Sequence, residues 1–156
     1  MKNQKGFSLI ELLVVVIIIA IIAAIAIPSL LASRRAANQS ATVANLRTVV
    51  SADATHASLA QGNYAATLAA LNTANYLDAS WAAATVTKNG YTYAYTPASA
   101  TNPNTGYCVT ATATESAGDN SYSTSHQGAI YFLAGTTAPT CVATTGVIST
   151  GAVISQ

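Results

Sequence analysis

Charge is scarce in this chain. Only 7% of its 156 residues are Asp, Glu, Lys or Arg, and the net charge is +1. Binding to nucleic acid needs clustered Lys and Arg to neutralise phosphates, so no nucleic-acid partner is expected. The two histidines, His56 and His126, and the two cysteines, Cys108 and Cys141, form no group at zinc-ligand spacing. No metal and no cofactor are expected. Enzymatic chemistry has little to work with. His126 comes directly after Ser123-Thr124-Ser125 and could be paired on paper with Asp119. No nucleophile-elbow glycine pattern accompanies it, so the expectation is a solvated loop histidine and no catalytic residue. No repeat at a period of 20–50 residues is present.

What the chain does have is a long apolar run, Phe7 to Ile27, behind a short charged start, Met1-Lys2-Asn3-Gln4-Lys5-Gly6. Twenty-one helical residues rise about 30 Å, the hydrocarbon thickness of a bilayer. Lys2 and Lys5 favour a cytoplasmic amino terminus, which puts the remainder outside the cytoplasm. One residue breaks the run, Glu11. A carboxylate deep in a bilayer costs roughly 2.5–3.5 kcal/mol on insertion scales. The run contains no Lys, Arg or His to offset it. A partner from another molecule, or a new amino terminus made by cleavage, would do so; tolerance through local water defects is the plainer alternative. A conventional signal peptide cut after Ala24-Ile25-Ala26 is a second reading of the run, but the run is too long for it and Glu11 interrupts it.

Pro28 removes a helical donor and crowds the carbonyl of Ala24, which predicts a kink; the alternative is a plain helix end, with Ser29 as the cap of a second helix. From Leu30 to Leu59 there is no Pro or Gly, and Val43, Leu46, Val50, Ala54 and Ala57 recur three and four apart. That is the apolar stripe of an amphipathic helix, with Arg34, Arg35, Asn38 and Asn45 mostly off it and a stop near Gly62-Asn63. A short helix is expected within Thr67–Asn75. Ala83–Lys88 and Tyr91–Thr96 flank Asn89-Gly90, a strong hairpin signal, and Tyr91, Tyr93 and Tyr95 share one strand face. Tyr107–Thr114 and Ala129–Leu133 read as two more strands. Pro97–Gly106 and Ser116–Gly128 read as turn-rich linkers, and the end of the chain as an edge strand or a loose tail. The eight tyrosines are expected to pack across strands. An even cysteine count in an exported chain reads as a disulfide, the alternative being two buried thiols. The pattern Asn38-Gln39-Ser40 matches a glycosylation sequon, but it lies within the helix and is taken as chance.

The segment Lys5-Gly6-Phe7-Ser8-Leu9-Ile10-Glu11-Leu12-Leu13-Val14-Val15-Val16 closely resembles the leader junction of type IV prepilins. The resemblance implies cleavage between Gly6 and Phe7 by a membrane-embedded prepilin peptidase and N-methylation of Phe7. It puts Glu11 at the fifth residue of the processed chain, where it would pair with the amine of a neighbouring subunit. It also implies an α+β pilin fold: leader 1–6, membrane and filament-core helix 7–28 with its kink at Pro28, amphipathic helix 29–61 packed on a small antiparallel sheet, and head 62–156. Tyr107-Cys108-Val109-Thr110-Ala111 and Gly128-Ala129-Ile130-Tyr131 resemble, more weakly, the sheet strands of small pilins, in which a Cys108–Cys141 disulfide would staple a C-terminal loop. The function implied is a structural subunit of a type IV pilus, a homopolymer of this chain. It would be stored in the inner membrane, assembled by pilus machinery that includes a separate ATPase, and displayed outside the cell. The alternative within the same resemblance is a major pseudopilin of a type II secretion system. Those relatives bind calcium in a C-terminal loop, for which Glu115, Asp119, Asn120 and Ser121 would be the oxygen donors here. An exported soluble binding domain is the remaining alternative.

Overall fold

The computed structural model describes residues 7–83, 85–100, 103–114 and 116–154. Gly6 and the rest of the charged start lie outside the described residues, as does Glu115. The long helix α1 spans Leu9–Leu59. The chain divides into two compact units between Arg34 and Arg35, and α1 contributes to both.

In the first unit every side chain from Phe7 to Ile22 is exposed. A helix apolar around its whole circumference has no solvent-facing side, and its mean hydropathy reaches 3.3 over 18 residues. It is long and apolar enough to cross a membrane. β-branched Ile and Val are modest helix formers in water, yet in lipid a backbone must bond within its own segment, and helix is the form that does so. Pro28 lies inside α1, which continues past it. The alternative of a helix ending there with Ser29 as a new cap is therefore not what forms. Ser29 is helical, and its carbonyl accepts the Ser33 hydroxyl at 3.0 Å.

The second unit is built on a six-stranded antiparallel sheet. Its strands are β1 (Val86–Lys88), β2 (Tyr91–Pro97), β3 (Tyr107–Ala113), β4 (Asn120–Ser125), β5 (Ile130–Ala134) and β8 (Ala152–Val153), in the order β1-β2-β3-β4-β5-β8. A separate ribbon pairs β6 (Cys141–Val142) with β7 (Val147–Ile148) and packs against β3 and β4. Short helix α2 (Leu68–Thr73) starts at Thr67, whose side chain accepts from the Ala70 amide, a standard N-cap. The β1–β2 hairpin turns at Asn89 and Gly90, both at positive φ (53° and 74°), as a two-residue turn of matching twist requires.

Across β2 and β3 large residues face small ones: Tyr91 opposite Ala113, Tyr93 opposite Ala111, Tyr95 opposite Val109. The resulting surface receives α1. Leu46, Val49 and Ala52 are buried there, with Trp81 packed edge-on to Tyr93 at 5.1 Å. The stripe expected from the sequence is partly displaced. Leu46 and Ala57 are buried, Val43 and Val50 are half-buried, and Ala54 is exposed. Thr42 and Asp53 take part in the buried face instead, because their polar atoms are bonded within the protein. Asn38 and Asn45 were expected off this face, yet both bond to the head: Asn38 Nδ2 donates to the Ala117 carbonyl at 3.0 Å and Asn45 Nδ2 to the Tyr93 hydroxyl at 3.1 Å. α1 ends at Leu59, with Gln61 and Gly62 at positive φ and the Gly62 amide reaching back to the Ala57 carbonyl at 2.8 Å.

One linker expectation and the expectation for the chain's end meet different outcomes. The segment 116–128, expected as a linker, contains β4, which sits between β3 and β5 in the middle of the sheet. Its small hydroxylated residues read as turn formers, but here they let the β6–β7 ribbon pack close. The Ser125 hydroxyl donates to the Gly146 carbonyl at 2.8 Å, beside that ribbon. The end of the chain does supply an edge strand, β8, paired with β5.

Candidate functional site

The first turn of α1 carries the sequence's most unusual charge. The Ser8 amide donates to Glu11 Oε2 at 2.9 Å. Ser-x-x-Glu is a capping-box pattern, and this bond is the half in which the acid returns to the cap residue's amide. A negative charge in the first turn also suits the positive end of the helix dipole. Phe7, just before, is 87% exposed. Among the described residues the one ion pair is elsewhere, Arg35 to Asp119 at 3.2 Å. Glu11 therefore has a helix-capping partner but, among the described residues, no cation.

In the head, Cys108 and Cys141 form a disulfide with Cα atoms 6.1 Å apart, and no cysteine is free. The alternative of two buried thiols is overturned. The bond joins β3 to β6 and so clamps the ribbon onto the sheet.

The other sequence candidates are not brought together. Asp119 pairs with Arg35, Asn120 Nδ2 donates to Gln39 Oε1 at 3.3 Å, and the Ser121 hydroxyl donates to the Gly135 carbonyl at 2.8 Å while accepting from the Ala113 amide at 3.0 Å. Of the four residues considered for calcium, Asp119 and Ser121 thus have a side-chain oxygen bonded within the protein and Asn120 is tied through its amide nitrogen; the fourth, Glu115, is outside the described residues. His126 and Asp119 flank opposite ends of β4, roughly 20 Å apart along an extended strand. His126 is half-buried rather than solvated, packed beside Tyr64 and Tyr107 and accepting the Tyr107 amide at Nδ1. A groove of about 520 Å³ beside α1 is lined by Arg47, Val50, Ala54, Ile130 and Ile154 among others, with no carboxylate, histidine or cysteine in its wall.

Asp53 is a residue that the sequence did not single out. It is fully buried, with Oδ1 accepting the Ala65 amide at 2.9 Å and Oδ2 facing the Tyr95 hydroxyl at 2.5 Å. Burial pushes its carboxyl above the usual range, a shift that the two hydrogen bonds and nearby His56 only partly offset. A signal does exist: Asp53 lies seven residues after Leu46 and four before Ala57, on the apolar stripe itself.

Similarity to known proteins begins at the start of the chain. A family model described as the prokaryotic N-terminal methylation motif matches residues 1–27. Over 50 residues the chain is 44% identical to the "Type IV wide pilus major component PilA4" of Thermus thermophilus. That match covers 32% of this chain and 38% of the relative's length. The long helix packed on an antiparallel sheet is a pilin-like α+β fold. The chain carries the N-terminal methylation motif of prokaryotic type IV pilins and has a type IV pilin as a relative.

Proposed function

We propose that this protein is a structural subunit of a type IV pilus, made as a prepilin and polymerised through its N-terminal helix. Residues 1–6 act as the leader, cut between Gly6 and Phe7, and the exposed Phe7 amine is methylated. Residues 7–28 hold the subunit in the inner membrane and then form the filament core, with Pro28 as the place where the helix yields. Residues 29–61 and 62–156 form the outer head.

The observation that carries this reading is the apolar stretch that opens α1, exposed on every side from Phe7 to Ile22 and interrupted by one carboxylate in the first turn. Glu11 caps its helix through Oε2, and Oε1 remains for a cation. The amine of a neighbouring processed subunit supplies one. In a low-dielectric setting either charge alone is costly, so docking one subunit beside another relieves both penalties and sets the axial register. The apolar flanks then exchange lipid for neighbouring helices, which is a matter of packing and not of release from water. The pilus component among the relatives favours a pilus over a pseudopilus.

The test is to shear surface material from the source cells, image it, and sequence the protein in it. Filaments whose main polypeptide starts at N-methylated Phe7 are expected. A native chain that starts at Met1 or at Ile27, or that is never recovered in polymers, would refute the proposal. Short filaments found only when a secretion system is overproduced would move the assignment to a pseudopilus.

A further inference from the structure

Asp53, Tyr95 and Ala65 line up three oxygens. Asp53 Oδ2 lies 2.5 Å from the Tyr95 hydroxyl oxygen, and that oxygen lies 2.8 Å from the Ala65 carbonyl. Both separations are hydrogen-bond lengths for O–H···O, and the single tyrosine proton can fill only one of them as a full two-centre bond, so two such bonds take two protons. The tyrosine brings one, and the carbonyl brings none. The neighbouring donors are committed elsewhere: the Ala65 amide goes to Asp53 Oδ1 at 2.9 Å, and Asn104 Nδ2 to the Ala65 and Tyr64 carbonyls at 2.7 and 3.3 Å. The second proton therefore belongs to Asp53.

The charged surroundings agree. The titratable groups acting on this cluster are His56 on α1, Tyr64 in the segment after it, Tyr95 on β2 and Tyr107 on β3; none is Lys or Arg. His56 directs Nδ1 to the Asn63 carbonyl at 3.1 Å rather than to the carboxyl. Burial raises the Asp53 carboxyl and holds the Tyr95 hydroxyl far above its usual value, so the tyrosine keeps its proton.

We propose that Asp53 is a neutral carboxylic acid in the folded head and acts as a pH-sensitive latch. As an acid it donates to Tyr95, which donates to the Ala65 carbonyl. This relay ties the segment 63–65 to α1 and β2. Asn104 extends the tie to the segment before β3, its backbone amide donating to Asn63 Oδ1 at 3.1 Å. Loss of the Asp53 proton leaves two short oxygen–oxygen approaches with one proton between them, and the latch slackens. The sign is set by the raised pKa: the contribution is complete below the unfolded carboxylate value near 4 and is lost as pH rises through the higher folded value.

The full chain in detergent micelles, labelled with ¹³C at the aspartate side-chain carboxyl, tests this. It has three aspartates, Asp53, Asp78 and Asp119. One resonance should titrate well above the other two and be absent from Asp53→Asn. If all three titrate near or below about 4, the proposal is overturned. Asp53→Asn mimics the neutral acid, accepting from Ala65 at its oxygen and donating to Tyr95 from its amide. It should fold, and between about pH 5 and pH 9 its Tm should stay level while that of the wild type falls. Ala65 amide exchange, corrected for intrinsic pH dependence, should accelerate over that range in the wild type and not in the variant. An unfolded Asp53→Asn, or matching pH profiles in the two proteins, would also overturn it.

Discussion

The Ser8 amide and Glu11 Oε2, 2.9 Å apart, close the first turn of α1, where every side chain from Phe7 to Ile22 is exposed. The same carboxylate that is assigned to contact a neighbouring subunit thus already has work within its own chain. The two roles separate by substitution. Glu11→Gln keeps an oxygen for the Ser8 amide and loses the charge; Glu11→Ala loses both, at a capping cost of about 1 kcal/mol. Both variants should be processed at Gly6, and both should assemble poorly, as judged by sheared filament yield. Normal filaments from Glu11→Gln would mean that capping, not charge pairing, is what the residue supplies.

The Cys108–Cys141 bond closes a loop of 33 residues' separation and clamps the β6–β7 ribbon over β3 and β4. In the chain-entropy picture such a closure contributes about 3–4 kcal/mol. Mass spectrometry without reductant should find the two residues linked. Replacing both with Ser should lower the Tm by on the order of 10 °C or more for a head of this size. A double variant that melts with the wild type would show that the ribbon holds without its clamp.

Gly90 has φ of 74°, and a side chain there would meet Ala117. Gly90→Ala combines backbone strain with a steric clash and should cost about 1–3 kcal/mol, read as a shift in the denaturant midpoint at unchanged m-value. Unaltered stability would contradict the turn geometry.

The hairpin is legible in sequence because Asn-Gly has few uses other than a tight turn, and the membrane-length run because nothing else places so many apolar residues together. The head is harder. Val49 and Val50 both satisfy helical spacing, and only the position of the sheet selects Val49. Asp53 is inconspicuous because an acid is usually solvent-facing, yet its partners, the Ala65 amide and Tyr95, are 12 and 42 residues away in sequence. β4 is hidden for a related reason. Asn, Ser and Thr favour turns when their hydroxyls bond locally, whereas here Ser121 and Ser125 bond to Gly135 and Gly146. Long-range satisfaction of polar groups leaves no local period to detect.

Two serines on β4 make that point measurable. Ser121 and Ser123 are both fully buried and lie two apart on one strand face. The Ser121 hydroxyl bridges the Ala113 amide and the Gly135 carbonyl. The Ser123 hydroxyl has no hydrogen-bond partner among the described residues. Ser121→Ala strands a donor and an acceptor in the interior and should cost about 1–3 kcal/mol. Ser123→Ala removes an unpaired polar atom and should be neutral or slightly stabilising. Chemical denaturation of the two variants in parallel gives the comparison, with the same residue type, burial and volume change in each. If Ser123→Ala proves the more damaging, the hydroxyl network assigned to the centre of this sheet is wrong.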